Sequence, residues 1–222
     1  MSFAYQERVA NSPLVKNIWH TYSSGSGVFV AAPDGCWDII FTKYDGKMYI
    51  AVNGQATTAV MVPYGEGAES LGISFKPEAF LTRLPGERLV DAAVDLAIVS
   101  KAAFHLDGQT YEIPTFENAD SFIKKLLRGN VLAHNDIVGQ VLGGHREVVS
   151  ERTQQRHFLR TTGLTPYYFS QLKRAQKAVI LLQQGKRPID VALEAGYSDQ
   201  PHMARAIKHI MGRTPAQIAS RT

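Results

Sequence analysis

The chain has little that would make it an enzyme, a secreted protein or a membrane protein. Among its 222 residues there is one cysteine, Cys36. No disulfide framework can form within the chain, which fits a reducing cytoplasm. No apolar run approaches the ~20 residues that a bilayer span requires. No positively charged stretch leads into an apolar one in the manner of a secretory signal. The expectation is a soluble, cytoplasmic protein with no membrane partner. None of the seven histidines stands at metal-ligand spacing from cysteine or carboxylates. No nucleophile elbow, phosphate loop or pair of catalytic carboxylates is present. Asp91 and Asp95, one helical turn apart, read as a solvated face. The sequence therefore predicts no catalytic residues, no metal, no cofactor and no enzyme activity.

A strong overall charge is also missing. The net charge is only +4, with a pI near 9.1. It is unevenly placed, however. From His134 onward there are 13 Lys and Arg against 6 Asp and Glu, whereas the residues before it hold 11 against 14. A basic half beside an acidic half suits a polyanion-binding domain joined to something else. The modest total argues against a purely non-specific, architectural DNA binder.

The basic half contains an internal repeat. Residues 150–218 lie on themselves when shifted by 49 positions: Ser150 falls on Asp199, Arg156 on Arg205, Phe158 on Ile207, Gly163 on Gly212 and Thr165-Pro166 on Thr214-Pro215. A period of this size means one supersecondary unit used twice. Ser150 is a good N-cap for a helix over 151–162, because its hydroxyl can accept an orphan N–H. Gly163 supplies the left-handed residue that closes it. Thr165-Pro166 opens the next helix, with proline at its first position. In the second copy Ser198 or Asp199 caps 200–211, Gly212 stops it, and Thr214-Pro215 opens a last short helix. Between the copies, Phe169, Leu172, Ala175, Val179 and Leu182 recur at helical spacing and predict one long rod over 166–184. Residues 189–197 form a one-sided apolar helix closed by Gly196, a helix-turn-helix in spacing.

The outer faces of the two capped helices carry the chemistry. The first shows Arg152, Gln154, Gln155, Arg156 and Arg160. The second shows Gln200, His202, Arg205 and Lys208. Arginine and glutamine forks match guanine and adenine edges in a major groove. Ser150, Thr165, Ser198 and Thr214 stand at helix starts, where backbone N–H groups favour phosphate. Lys173, Arg174, Lys186 and Arg187 are further candidates for phosphate contact. His157 reads as structural.

With these residues in view, 150–218 resembles the DNA-binding domain of the AraC/XylS family of bacterial transcription regulators. The most specific part is Ala195-Gly196-Tyr197-Ser198-Asp199-Gln200, followed by Arg205, Lys208, Gly212 and Thr214-Pro215. The resemblance implies two helix-turn-helix units joined by a long helix, each presenting a recognition helix to double-stranded DNA. Arg152, Gln155 and Arg156 would read bases in one groove, and Gln200, Pro201, Ala204 and Arg205 occupy the corresponding positions of the second. RNA polymerase and a second copy of the chain are partners that the family suggests. Two departures stand out. The helix expected near 137–142 contains Gly139 and precedes Gly143-Gly144, which weakens it, and the loop 144–149 is long for a tight turn. Pro201 and Ala204 offer little hydrogen bonding.

The first half reads as a mainly antiparallel β-domain, so the fold class is α+β. Strands are expected at 14–22, 28–31, 37–43, 47–52, 57–62, 70–75 and 109–113, with a hairpin turn at Asp45-Gly46. Helices are expected at 77–84 and, by spacing, at 89–104. A helix from Asn118 or Asp120 to Leu127 is assigned to the DNA-binding half, which places the division at 1–114 and 115–222. The stretches 33–41 and 72–79 are similar to a short N-terminal domain found in a subset of AraC-type regulators, which implies a sensory or assembly role. Asp34, Trp37, Phe41, Tyr49 and Phe75 are candidates for an effector pocket, or alternatively the core of a small sheet. An alternative from another class is a DNA-targeted repair or thiol-reactive protein using Cys36, against the commoner case of a buried, inert thiol. The sequence names neither operator nor effector, nor the sign of regulation.

Overall fold

A computed structural model describes residues 3–145 and 149–220. Thirteen strands precede or interleave with seven α-helices among these residues. The strands are β1 (Phe3–Arg8), β2 (Val15–Ser23), β3 (Gly27–Ala31), β4 (Trp37–Tyr44), β5 (Lys47–Asn53), β6 (Val60–Tyr64), β7 (Glu69–Phe75), β8 (Ala79–Leu81), β9 (Ala93–Asp95), β10 (Ile98–Ser100), β11 (Ala103–Leu106), β12 (Gln109–Glu112) and β13 (Leu132–His134). The helices are α1 (Ala119–Arg128), α2 (Asp136–Leu142), α3 (Glu151–Thr162), α4 (Pro166–Gln183), α5 (Pro188–Glu194), α6 (Gln200–Met211) and α7 (Pro215–Ala219).

The main sheet has six antiparallel strands in the order β1-β2-β7-β4-β5-β9. Asp45 and Gly46 both take positive φ (49° and 69°), so the tight turn matches the strand twist and sets Tyr44 opposite Lys47. Side chains alternate across β4. Trp37, Ile39 and Phe41 enter the core, while Ile40, Thr42 and Tyr44 face the other way. The core side is covered by the β10-β11-β12 sheet and α1. Phe41, Phe104, Tyr111 and Phe122 meet edge-on or tilted at ring distances of 5.3–6.1 Å. A separate ribbon of β3 and β6 stands over the opposite side.

Three expectations are corrected. Residues 77–84 hold no helix. Ala79 and Leu81 are buried with Phe80 half-buried between them, a period of two, and β8 pairs with β13. The Trp37 Nε1–H donates to the Ala79 carbonyl at 2.8 Å, tying that strand to β4. Residues 89–104 are likewise not a helix but β9, β10 and the start of β11. Their apolar spacing reflects short strands that pair with β5 and with each other. Helix α1 packs with the β-core, not with the DNA-binding half, because Ala119, Phe122, Ile123 and Leu126 are buried in the same cluster as Ile39 and Phe75.

The helical body has two small cores strung along α4. The first joins Val138, Val141, Phe158, Leu164 and Phe169. The second joins Leu172, Ala175, Leu182, Val191, Met203, Ile207 and Ile218. The buried stripe of α4 also takes in Ala178 and Leu181, while Val179 is only partly covered. With 18 residues, α4 spans roughly 27 Å.

Candidate nucleic-acid interface

Each half of the helical body is a helix-turn-helix built by local chemistry. In the first, Asn135 caps α2 through its side chain and also reaches across to Thr161 (2.8 Å) and His157 (3.0 Å) on α3. That fixes the two helices against each other and gives His157 its structural role. Ser150 accepts from the Thr153 N–H at the start of α3. Gly163, with φ 72°, ends it. Phe158 is fully buried and meets Phe169 edge-on at 5.5 Å, which anchors α3 to α4. Despite Gly139, α2 forms. Of the long loop expected at 144–149, residues 146–148 lie outside the described residues.

The second unit repeats the plan. Asp199 rather than Ser198 is the cap of α6. Its Oδ1 accepts from the His202 N–H at 2.6 Å, and that hydrogen bond holds the carboxyl below its usual range. Gly212, with φ 68°, closes the helix. Ile207 is fully buried at the position equivalent to Phe158. Thr214 opens α7 with a reciprocal capping box to Gln217. The turn before α6 contains Gly196 at φ 81°. Arg174 clamps this turn to α4, donating to the Gly196 carbonyl at 2.8 Å and lying 4.9 Å over the Tyr197 ring.

The faces left over are the candidate interface. On α3, Arg152, Gln155, Arg156 and Arg160 are exposed, and none has a hydrogen-bond or ion-pair partner among the described residues. On α6, Gln200, Pro201, Arg205 and Lys208 are exposed, and Arg205 and Lys208 are unpaired in the same sense. Arg156 and Arg205, equivalent in the repeat, therefore present free guanidinium forks on both helices. Ala204 is half-buried. His202 is held by the Ser198 hydroxyl at 3.0 Å and lies edge-on to Tyr197.

Gln154 is the exception on the first face. It is buried and donates through Nε2 to the Val149 carbonyl at 3.0 Å. Its helix position turns it inward, so it belongs to the support of α3 and not to its outer face. The other cations considered for phosphate contact have partners on the chain. Lys173 donates to the Leu142 carbonyl, Lys186 pairs with Glu194, and Arg187 pairs with Asp190. The Ser150, Thr165 and Thr214 hydroxyls are occupied as caps.

The five effector candidates are not brought together. Trp37 and Phe75 stack at 4.3 Å inside the core, and Phe41 is buried against Phe104 and Phe122. Asp34 pairs with Lys16 and accepts from the Cys36 N–H, as a turn residue does. Trp37 borders a small void beside Leu81 and Leu89, and of the five Tyr49 alone lines a large cleft. This cleft of about 660 Å³ lies between the main sheet and the β3-β6 ribbon. Phe3, Trp19, Phe29, Tyr44, Tyr49 and Tyr64 supply its rings, with no Asp, Glu, Lys or Arg among its lining residues. Three of the rings rest on glycines. A Cβ on Gly72 would come within 2.1 Å of Trp19, one on Gly65 within 2.5 Å of Tyr44, and one on Gly27 within 2.7 Å of Tyr64. The Trp19 Nε1–H is further anchored on Ser74 at 3.1 Å. Strand alternation could have separated Ile40, Thr42 and Tyr44 from the core set.

Cys36 is buried, and burial pushes its thiol well above the ordinary range, the opposite of what a reactive thiolate needs. No helix of the described residues is long and apolar enough to cross a membrane.

Residues 145–221 match a helix-turn-helix domain family. An uncharacterized HTH-type transcriptional regulator of Bacillus subtilis (strain 168), YbfI, is 46% identical over 48 residues, which is 22% of this chain and 18% of that protein. The match thus spans less than a fifth of the length of the curated relative. Two crystal structures of ToxT from Vibrio cholerae align over 99% of this chain. One, from strain O395 and bound to (E)-4-(8-methylnaphthalen-1-yl)but-3-enoic acid, is 8% identical with a TM-score of 0.42 and is covered over 99% of its length; the other is 10% identical with a TM-score of 0.40 and is covered over 98%. The repeat, the caps and the family match make the C-terminal third a helix-turn-helix domain.

Proposed function

We propose that this chain, which ends in an AraC-type helix-turn-helix domain, is a sequence-specific transcription regulator whose α3 and α6 enter adjacent major grooves of one DNA site. One observation carries the reading. The repeat puts Arg156 and Arg205 at equivalent positions, both exposed and neither with a hydrogen-bond or ion-pair partner among the described residues. A free arginine fork on a capped helix is the group that matches guanine O6 and N7. Arg152, Gln155, Arg160, Gln200 and Lys208 complete the two faces. The helix N-termini capped by Ser150, Thr165 and Thr214, with Ser198 beside the start of α6, would hold phosphates and set register. The two helices would be about 34 Å apart, one turn of duplex.

The β-body is the regulatory part in this reading, with the division from the helical body following β13 and not residue 114. The aromatic cleft would take a small-molecule effector, since pockets of this size are mostly apolar with a few polar groups. An uncharged ligand fits best, because a charge there would find no counterion among the lining residues. A homodimer, contact with RNA polymerase and residence in the bacterial cytoplasm belong to the same proposal. Burial of Cys36 leaves nothing to favour the thiol-reactive alternative.

The test is selection of bound duplexes from a random DNA pool by the full-length protein. Two enriched blocks about ten base pairs apart are expected. Enrichment of no sequence, with strongly salt-dependent binding to random DNA, would contradict sequence-specific recognition.

A further inference from the structure

The two recognition helices end on the same surface of the β-body. Gly163 and Gly212 are equivalent in the repeat, and each is pressed against a β-domain loop. A Cβ on Gly163 would lie 2.5 Å from Val90 and 2.7 Å from the backbone of Glu87. A Cβ on Gly212 would lie 2.9 Å from the Cβ of Ala59. Both seats reach the last turn of the helix. A Cβ on Gly86 would lie 2.4 Å from the Thr161 carbonyl oxygen of α3, and the Ala59 N–H donates to the Ile210 carbonyl of α6 at 2.9 Å. That hydrogen bond satisfies a carbonyl which a helix end otherwise leaves orphaned. Between the two seats, the Tyr168 hydroxyl of α4 donates to the Ala56 carbonyl at 2.9 Å.

The seats lie on two loops, 54–59 and 85–92, and Asp91 joins them. Its Oδ1 accepts from the Thr57 N–H and its Oδ2 from the Thr57 hydroxyl, both at 2.6 Å. Its own N–H donates to the Gln55 carbonyl at 3.0 Å. Asp91 holds φ at 52°, a left-handed conformation that few side chains accept. A residue constrained in this way, with both carboxylate oxygens used on one partner, acts as a latch between the loops.

We infer that the latched loops form one platform that sets the distance and angle between α3 and α6, and that Asp91 is a positioning residue for half-site spacing. This rests on the reading of both helices as DNA readers. A connecting helix alone resists bending but leaves each helix-turn-helix free to rock about its small core. Two rigid seats on a common base remove that freedom. One added base pair moves a half-site by ~3.4 Å and turns it by ~34°, which a latched platform cannot follow and an unlatched one can.

The experiment measures affinity of the full chain for its selected two-block duplex at the best spacing and at one and two base pairs more and less. A single-block duplex serves as the reference. The unaltered protein should lose roughly tenfold per base pair of change, as for a mismatched pair. Asp91→Gly removes the carboxylate yet keeps the left-handed backbone accessible. It should flatten the spacing profile to within about threefold and leave single-block affinity unchanged. Asp91→Asn tolerates positive φ, keeps an acceptor for the Thr57 N–H and can donate its amide to the Thr57 hydroxyl, so it should retain the original profile. If Asp91→Gly fails to fold, Thr57→Val, which removes only the hydroxyl donor, should flatten the profile in its place. An unchanged profile in the folded variant, or an equal loss on single-block and two-block duplexes, would overturn the platform. Absence of any two-block preference in the unaltered protein would instead overturn the two-headed reading beneath it.

Discussion

Arg156→Ala and Arg205→Ala, made singly and together, separate the contributions proposed for α3 and α6. Both guanidinium groups are exposed and unpaired among the described residues, so their removal should change unfolding free energy by no more than ~0.5 kcal/mol. A bidentate contact to a base contributes ~1–3 kcal/mol of discrimination. A value near 2 kcal/mol corresponds to about 30-fold weaker binding of the selected duplex. The helices are anchored in separate cores, by Phe158 and by Ile207, with the half-buried Tyr168 of α4 packed against both. The two losses should then add to within ~0.5 kcal/mol, giving about a thousandfold for the pair. Anisotropy titration on selected and scrambled duplexes at one fixed salt concentration reads both effects. Arg174→Ala is the contrasting control. It loses the hydrogen bond to Gly196 and the contact with the Tyr197 ring, so it should lower stability by ~1–3 kcal/mol through the turn before α6. The reasoning fails if the scrambled duplex weakens as much as the selected one, since the arginines would then touch backbone only. It also fails if the double variant binds no more weakly than one of the singles.

Three further outcomes are expected. Cys36 should resist thiol reagents in the native protein and react once denatured, as labelling with and without urea would show; rapid native labelling would contradict its burial. Asp38 is raised to about 6, chiefly by burial, although the Ser74 hydroxyl bonded to it lowers the shift. Its folded pKa exceeds its unfolded value, so the native state holds the proton more tightly. Stability should fall as pH rises from about 4 to 6, and Asp38→Asn should raise the melting temperature at pH 7–8 while flattening that slope. Gly72→Ala should push the Trp19 ring off its seat, shifting its fluorescence and reducing uptake of a neutral aromatic dye by the cleft, while DNA binding without effector stays unchanged.

The helical body was largely legible because its signals are local. Ser150, Asp199, Thr165 and Thr214 cap the helices that follow them, and Gly163 and Gly212 take the left-handed conformation their positions call for. Asp45-Gly46 was legible for the same reason. The misreadings arise where partners are distant in sequence. Residues 79–81 become a strand because β13, some fifty residues on, supplies the other edge. Helix α1 joins the β-core through Phe122 and Phe104, a contact no local pattern reveals. Gln154 shows the limit of reading a helical face by residue type, since one glutamine on the Arg/Gln surface turns inward to Val149. Aromatic character alone could not divide Trp37, Phe41 and Phe75 from Trp19, Tyr44 and Tyr64. Only sheet alternation and the position of the β3-β6 ribbon decide which rings face the core and which line the cleft. Lys173 and Arg174 of α4, and Lys186 and Arg187 of the loop after it, suggested phosphate contact, but charge count does not reveal that each already has a partner.

The central claim is that one chain reads two adjacent major grooves through α3 and α6. Dimethyl sulfate protection of guanine N7 on the selected duplex tests it most directly, because that atom lies in the major groove. Two clusters of protected guanines about ten base pairs apart are expected, with Arg156→Ala releasing one cluster and Arg205→Ala the other. A single protected cluster, or release of the same cluster by both substitutions, would contradict the account.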